Sequence, residues 1–202
     1  MVKVYLIDIT NLKPVEAPCL SLLTPERRKA AEDYQDKTAR LRVIGAGLLL
    51  RKVLGVERYS DLYKNEYGKP FLAAVGSQFS LSNAGYYAAL AVSQVSVGLD
   101  IEQIKDNYPP VLRRYFLPDE LAWLDRALSG EWFYTLWTRL ESVLKAEGTG
   151  FEGWRRRKCS LLKENGPRFI RNAIHDGHII ACAAGKPFYL RLINVNTDYL
   201  LK

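Results

Sequence analysis

The sequence predicts an α+β fold of two similar halves, each with a small sheet and a long helix, facing each other across a cleft. Three observations predict it. A short helix opened by proline, a long helix and then strand-like runs occur in that order twice along the 202 residues. Matched positions keep a nearly constant spacing: Pro25 and Pro118 lie 93 apart, Arg51 and Lys145 94, and Ala88 and Ala181 93. An apolar strand, Val95 to Glu102, joins the two copies and so falls at the cleft. An internal duplication accounts for these spacings better than chance. The halves divide at residues 1–96 and 97–202 and together make one unit.

Met1 to Asp8 alternates as a first strand does and lacks the long apolar core of a signal peptide. Thr24-Pro25-Glu26 then opens a helix, with threonine suited to the cap and proline to the first turn. A second helix runs from about Lys37 to Leu54, with Leu41, Ile44, Leu48 and Val53 at helical spacing. A turn at Asn65 to Pro70 precedes two strand-like runs, Phe79 to Ser82 and Tyr86 to Val92. In the second copy Leu117-Pro118-Asp119-Glu120 opens the short helix. A long helix follows from about Trp132 to Ala146, and then a strand from His178 to Ala184.

Hydrophobic residues make up 48% of the chain and charged residues 25%, the balance of a soluble globular protein. The longest clear apolar run, Val43 to Leu50, falls far short of the roughly 20 residues of a membrane helix. No membrane association and a cytoplasmic location are expected. Cys19, Cys159 and Cys182, few and far apart, exclude a disulfide framework and a C-x-x-C metal pair, and read as single buried thiols. Both histidines, His175 and His178, fall in one turn before a strand with no third metal ligand near them, which argues against zinc and against a Ser-His-Asp hydrolase. The net charge of +7 attracts polyanions, but its sign does not choose between nucleic acid, membrane, nucleotide and acidic protein. Arg155-Arg156-Arg157-Lys158 reads as a solvated turn, with a nucleic-acid patch as the alternative.

Two constellations point to chemistry. Asp100 and Glu102 stand two apart in an apolar strand, so both carboxylates leave one face while Leu99 and Ile101 leave the other. Like charges side by side repel unless a cation lies between them, and a hard divalent ion with oxygen ligands answers that need. A solvated strand end is the competing reading. Glu141 and Lys145, four apart, share a helix face with Trp137 one turn earlier. An ordinary surface ion pair is the alternative there.

At these residues the sequence resembles the 4′-phosphopantetheinyl transferases of the double-length type that activates peptide and polyketide synthetases. Gly98-Leu99-Asp100-Ile101-Glu102 matches that family's G-[IVL]-D-[IVL]-E strand. Trp137 to Lys145 matches its W-x-x-K-E-[AS]-x-x-K helix at every fixed position but one. Gly148-Thr149-Gly150, Gly68-Lys69-Pro70, Phe79-Ser80-Leu81-Ser82 and Arg113-Arg114-Tyr115-Phe116 resemble further family segments in the same order. The likeness runs from about Leu23 to Ala184.

The resemblance implies two pseudo-symmetric halves, each a small, mainly antiparallel sheet on a long helix, with the ligand site between them. It implies Mg²⁺ held by Asp100, Glu102 and Glu141, and transfer of 4′-phosphopantetheine from coenzyme A to a serine of an acyl or peptidyl carrier protein. Glu141 or a metal-bound water would take the serine proton, and Lys145 would stabilise the pyrophosphate or the leaving group. Arg27, Arg28, Arg42, Lys69 and Lys145 are the cations expected around coenzyme A, with Ser82 and Asn83 facing its 3′-phosphate or ribose. An acidic carrier would meet Arg113 or Arg114. One chain supplying both halves implies a monomer, and no nucleic-acid partner is implied. Two positions depart from the pattern: Asn83 replaces a histidine, and Leu140 a lysine that would contact phosphate. They favour a degenerate relative that binds coenzyme A or a carrier without catalysis. A basic nucleic-acid-binding protein is the other alternative, but it gives no reason for three converging carboxylates.

Overall fold

The computed structural model describes residues 1–74, 76–126 and 129–201. In chain order the elements are strand β1 (Val2–Asp8), helices α1 (Glu16–Ser21), α2 (Pro25–Glu32) and α3 (Lys37–Leu54), and strands β2 (Leu62–Lys64), β3 (Pro70–Leu72), β4 (Gln78–Ala84), β5 (Tyr87–Ser93) and β6 (Val97–Gln103). Helices α4 (Pro118–Leu124) and α5 (Gly130–Glu147) follow, then strands β7 (Phe169–His175), β8 (His178–Ala184) and β9 (Leu190–Asn194), and helix α6 (Thr197–Leu201). Single 3-10 segments lie at Ile9–Val15, Tyr59–Asp61, Pro110–Tyr115 and Gly150–Arg156. This is a mixed α+β protein, as the sequence predicts.

The expected helices form where their end signals lie. Thr24 caps α2 through its hydroxyl, which accepts from the Arg27 amide, and Pro25 fills the first helical position. The Asp36 carboxylate accepts from the Ala39 amide at 2.6 Å to start α3. Both long helices end on a left-handed glycine, Gly55 at φ 69° and Gly148 at φ 70°. Each is 18 residues long, and their first residues, Lys37 and Gly130, are 93 apart.

The first sheet has the order β4-β5-β1-β9 and the second β6-β8-β7; β2 and β3 form a separate antiparallel hairpin. All pairings are antiparallel except β1 with β9. Strand β9 lies beyond the expected division at residue 96, yet it pairs with β1 and completes the first sheet. Alternation along β1 decides the layering. Ile7 faces α3, packing with Ile44, Leu48 and Leu49, while Val2, Val4 and Leu6 face the second sheet. There they meet Leu99, Ile101, Ile180 and Cys182, with Ala89 and Ala91 keeping the sheets close. Helix α5 covers the other side of the second sheet with Phe133, Leu136, Trp137 and Leu140.

Three sequence expectations change. Cys159 is exposed, and only Cys19 and Cys182 are buried thiols. The basic run is not a uniformly solvated turn, because Arg157 turns inward. Its guanidinium bridges both oxygens of the fully buried Glu120 and donates to the Tyr115 and Cys159 carbonyls. Glu120 also accepts from the Leu117 and Leu161 amides, so this ion pair ties the segment after α5 to the start of α4. The segment before His178 is not merely a turn. It is the strand β7, joined to β8 by Asp176-Gly177, both with positive φ as a two-residue hairpin turn requires.

Candidate active site

Strand β6 places Gly98, Asp100 and Glu102 on the face covered by α5. A Cβ at Gly98 would fall 1.9 Å from the Ser142 carbonyl oxygen and 2.3 Å from the Ala146 nitrogen. Only a residue without a side chain admits the helix this close. Two residues further along the strand, Asp100 is buried, and Lys145 of α5 donates to its Oδ1 at 2.6 Å. The Ser82 hydroxyl donates to the same oxygen at 2.8 Å. Oδ2 of Asp100 is buried without a hydrogen-bond partner.

Sequence reasoning passed over the role of Ser80. Strands β4 and β6 are edges of different sheets, and serine hydroxyls close the seam between them. Ser80 Oγ accepts from the Leu99 amide at 3.0 Å and Ser82 Oγ from the Ile101 amide at 3.4 Å. The spacing of two between the serines was the available signal, since alternate residues share one strand face. The seam holds Asp100 from the first half while α5 holds it from the second.

The three carboxyl groups act on one another. Burial raises Asp100, a shift that the Lys145 charge opposes. Burial first, and then the Asp100 and Glu141 charges, push Glu102 up to about 7. Burial and the Asp100 charge push Glu141 up to about 7 as well. As placed, no group of three His, Cys, Asp or Glu side chains among the described residues is arranged to hold a metal ion. The donor chemistry nevertheless fits a hard divalent cation. One carboxylate oxygen is buried and unpartnered, two further carboxyls are destabilised by like charge, and all the donors are oxygens.

These shifts have a stability consequence with a definite sign. The folded protein keeps protons on Glu102 and Glu141 that the unfolded chain releases near pH 4.3. Stability therefore falls as pH rises from about 4.3 through about 7 and levels off above that. In EDTA the two groups together should contribute a fall on the order of 2 kcal/mol after solvent screening. Urea unfolding at pH 5.5 and pH 8 measures it, and Glu141→Gln should flatten the dependence. An unchanged slope in that variant would show that Glu141 titrates normally.

The remaining expected residues are distributed unevenly. Glu141 and Lys145 line a cavity of about 290 Å³ together with Tyr67, Lys69, Ser80 and Phe151. A larger cavity of about 710 Å³ shares Leu144 with it but touches none of the three carboxylates. Arg42 donates to the Gly85 carbonyl at 2.9 Å, in the β4–β5 turn just past the exposed Asn83. Arg27 is half-buried against Gly47 of α3, and burial lowers its pKa. The Arg28 guanidinium is engaged by the Leu20 and Ser21 carbonyls. The Lys69 ammonium donates to the Val97 and Ala146 carbonyls, and burial, with the Arg168 charge second, lowers its pKa to about 8. Arg113 pairs with Asp125, while exposed Arg114 lies over the Tyr115 ring. Leu140 is fully buried among the α5 core residues, so this position serves packing rather than phosphate.

Residues 96–190, which hold all three carboxylates and Lys145, match the family model of the 4′-phosphopantetheinyl transferase superfamily. Over these residues the chain is similar to the 4′-phosphopantetheinyl transferase superfamily. A 4′-phosphopantetheinyl transferase of Bacillus subtilis is 26% identical over 191 residues, which cover 90% of this chain and 81% of the relative. The transferase Sfp of Bacillus subtilis strain 168 is 28% identical over 140 residues, 65% of this chain and 62% of the relative. The transferase gsp of Aneurinibacillus migulanus is 32% identical over 138 residues, 64% and 58% of the two chains. The match thus spans less than two thirds of the last two relatives. No helix among the described residues is long and apolar enough to cross a membrane.

Proposed function

We propose that this protein is a 4′-phosphopantetheinyl transferase, which transfers the 4′-phosphopantetheine group of coenzyme A to a serine of an acyl or peptidyl carrier protein. The observation that carries the reading is Asp100. It is a buried carboxylate with one oxygen on Lys145 and the other unpartnered, beside two carboxyls raised by burial and then by its charge. A structural ion pair alone would not gather three acids around one lysine.

In the proposed reaction the carrier serine Oγ forms a bond to the β-phosphorus of the coenzyme A pyrophosphate. The bond from that phosphorus to the bridging oxygen breaks, and 3′,5′-adenosine bisphosphate leaves with the electron pair. Catalysis of such transfers rests on positioning and on neutralising charge at phosphate oxygens. Asp100, Glu102 and Glu141 would hold Mg²⁺, which when bound supplies charge neutralisation at the pyrophosphate. Glu141 would be the carboxylate that accepts the serine proton. Lys145 would place its ammonium on the leaving phosphate. Arg42 and Arg27, with Asn83 at the strand end, would face the anionic nucleotide. Ser82 would act mainly through the hydrogen bond it gives Asp100.

The same reading takes the chain as two pseudo-symmetric halves, divided near residue 96, with the ligand cleft between them. The 93-residue interval between the starts of α2 and α4 and between those of α3 and α5 supports it. So does the recurrence of an antiparallel hairpin after each long helix, β4–β5 and then β7–β8. A monomer acting in the cytoplasm is part of the proposal.

The test is the intact mass of a purified apo-carrier protein after incubation with this enzyme, coenzyme A and Mg²⁺, beside an EDTA control. The expected result is a gain of one phosphopantetheine, abolished by EDTA. No gain on several unrelated carriers would overturn the reading.

A further inference from the structure

Asn65 and Lys69 belong to the turn between β2 and β3, yet both reach the C-terminal end of α5. Asn65 Nδ2 donates to the Gly148 carbonyl at 2.7 Å. Lys69 Nζ donates to the Ala146 carbonyl and to the Val97 carbonyl, 3.2 Å each. The last carbonyls of a helix have no partner within it, and a positive group at this end also complements the helix dipole. One ammonium therefore joins the end of α5 to the first residue of β6.

The turn is shaped for this contact. Asn65 Oδ1 accepts from the Tyr67 and Lys69 amides, at 3.1 and 2.9 Å, while its amide nitrogen faces α5. Gly148 is left-handed, and a Cβ there would lie 3.0 Å from Lys69 Cδ and 3.2 Å from Asn65 Nδ2. Ser96, just before β6, adds its own hydroxyl to the Ala146 carbonyl. Glu141 and Lys145 lie within two turns of the helix end gripped in this way.

We propose that the Asn65–Lys69 turn is a clamp that fixes the end of α5 against the strand bearing Asp100 and Glu102. Asn65 and Lys69 then act as positioning residues, affecting transfer through Glu141 and Lys145 in addition to the part Lys69 plays in lining their cavity. The kinetic consequence rests on the transferase reading, whereas the structural consequence does not.

Two measurements on the 202-residue chain test it. Asn65→Asp keeps the oxygen that shapes the turn and deletes the donor to Gly148; Lys69→Met deletes the ammonium and keeps most of the stem. Amide hydrogen exchange in the last turn of α5 should become about ten-fold faster in each, as a lost capping contact predicts. With coenzyme A varied, kcat should fall about ten-fold and KM stay within about two-fold, the pattern of a displaced catalytic group. Lys69→Arg, which can still reach the carbonyls, should restore most of both. Unchanged exchange would overturn the clamp. A loss confined to KM for coenzyme A, with exchange unchanged, would make Lys69 a ligand contact instead. If the wild type transfers nothing, the transferase reading fails, and the exchange measurement alone decides the clamp.

Discussion

Asp100→Asn should lower kcat for phosphopantetheine transfer by about 10³-fold or more, while leaving the fold intact. Asparagine has the size of aspartate and still offers an oxygen to the Ser82 hydroxyl, so the seam between β4 and β6 keeps its geometry. What disappears is the negative charge. Lys145, whose side chain retains 31% of its exposure, turns to water without a buried charge being stranded. Burial already disfavours the ionised form of Asp100, so unfolding free energy should change by no more than about 1 kcal/mol. The effect on a divalent cation is the opposite. At pH 8 the wild type should gain resistance to urea when Mg²⁺ replaces EDTA, and Asp100→Asn should lose that gain. Transfer at the wild-type rate by the folded variant would sink the metal assignment, and a variant that fails to fold would show that the charge itself is structural. Glu141→Gln, at a half-exposed position with less packing at stake, then separates the two effects.

Much of this arrangement was legible before any coordinates. Helix boundaries at Pro25, Leu54 and Pro118 were readable because caps and glycine stops are local signals. The carboxylates of Asp100 and Glu102 were readable as one face because alternation is local too. Ser82 was harder. Its position was expected near the 3′-phosphate or ribose, but its hydroxyl is given to Asp100, 18 residues away. No spacing rule says which residue of one edge strand will lie beside another sheet. Lys69 illustrates the same limit. The resemblance sets Lys69 among the cations around coenzyme A, the turn alone reads as surface, and only the tertiary fold brings the carbonyls of α5 within its reach. Leu140 stands out in the sequence as a departure from the family pattern, and its burial was also within reach. Phe133, Leu136, Trp137, Leu140 and Leu144 repeat at helical spacing, so periodicity alone assigns Leu140 to the core. Strand β7 gave the weakest signal because it is an edge strand with mostly half-buried residues and no clean alternation.

Gly98 ties the fold most directly to the site, and Gly98→Ala should damage both. The added carbon would meet the Ser142 oxygen and the Ala146 nitrogen, both backbone atoms of the C-terminal part of α5, at 1.9 and 2.3 Å. A side chain could rotate away from such a contact, but a helix backbone moves only as a unit. Either α5 lifts from β6 by about 1 Å or more, or the strand is pushed toward the other sheet, where Leu99 and Ile101 are already fully packed. Overpacking of this kind costs about 1–3 kcal/mol, and more when only backbone can yield. Lifting the helix also changes the distance from Lys145 and Glu141 to Asp100 and Glu102. A displacement of about 1 Å in a catalytic group can reduce turnover about 10²-fold. The folded fraction of Gly98→Ala should therefore show a lower urea midpoint and a kcat reduced about 10²-fold, with faster amide exchange along α5. If the variant is as stable as the wild type and equally active, the spacing between β6 and α5 does not govern the site. If stability falls but kcat holds, the helix has found a second seat that preserves the Lys145–Asp100 contact, and the site tolerates more movement than its packing implies.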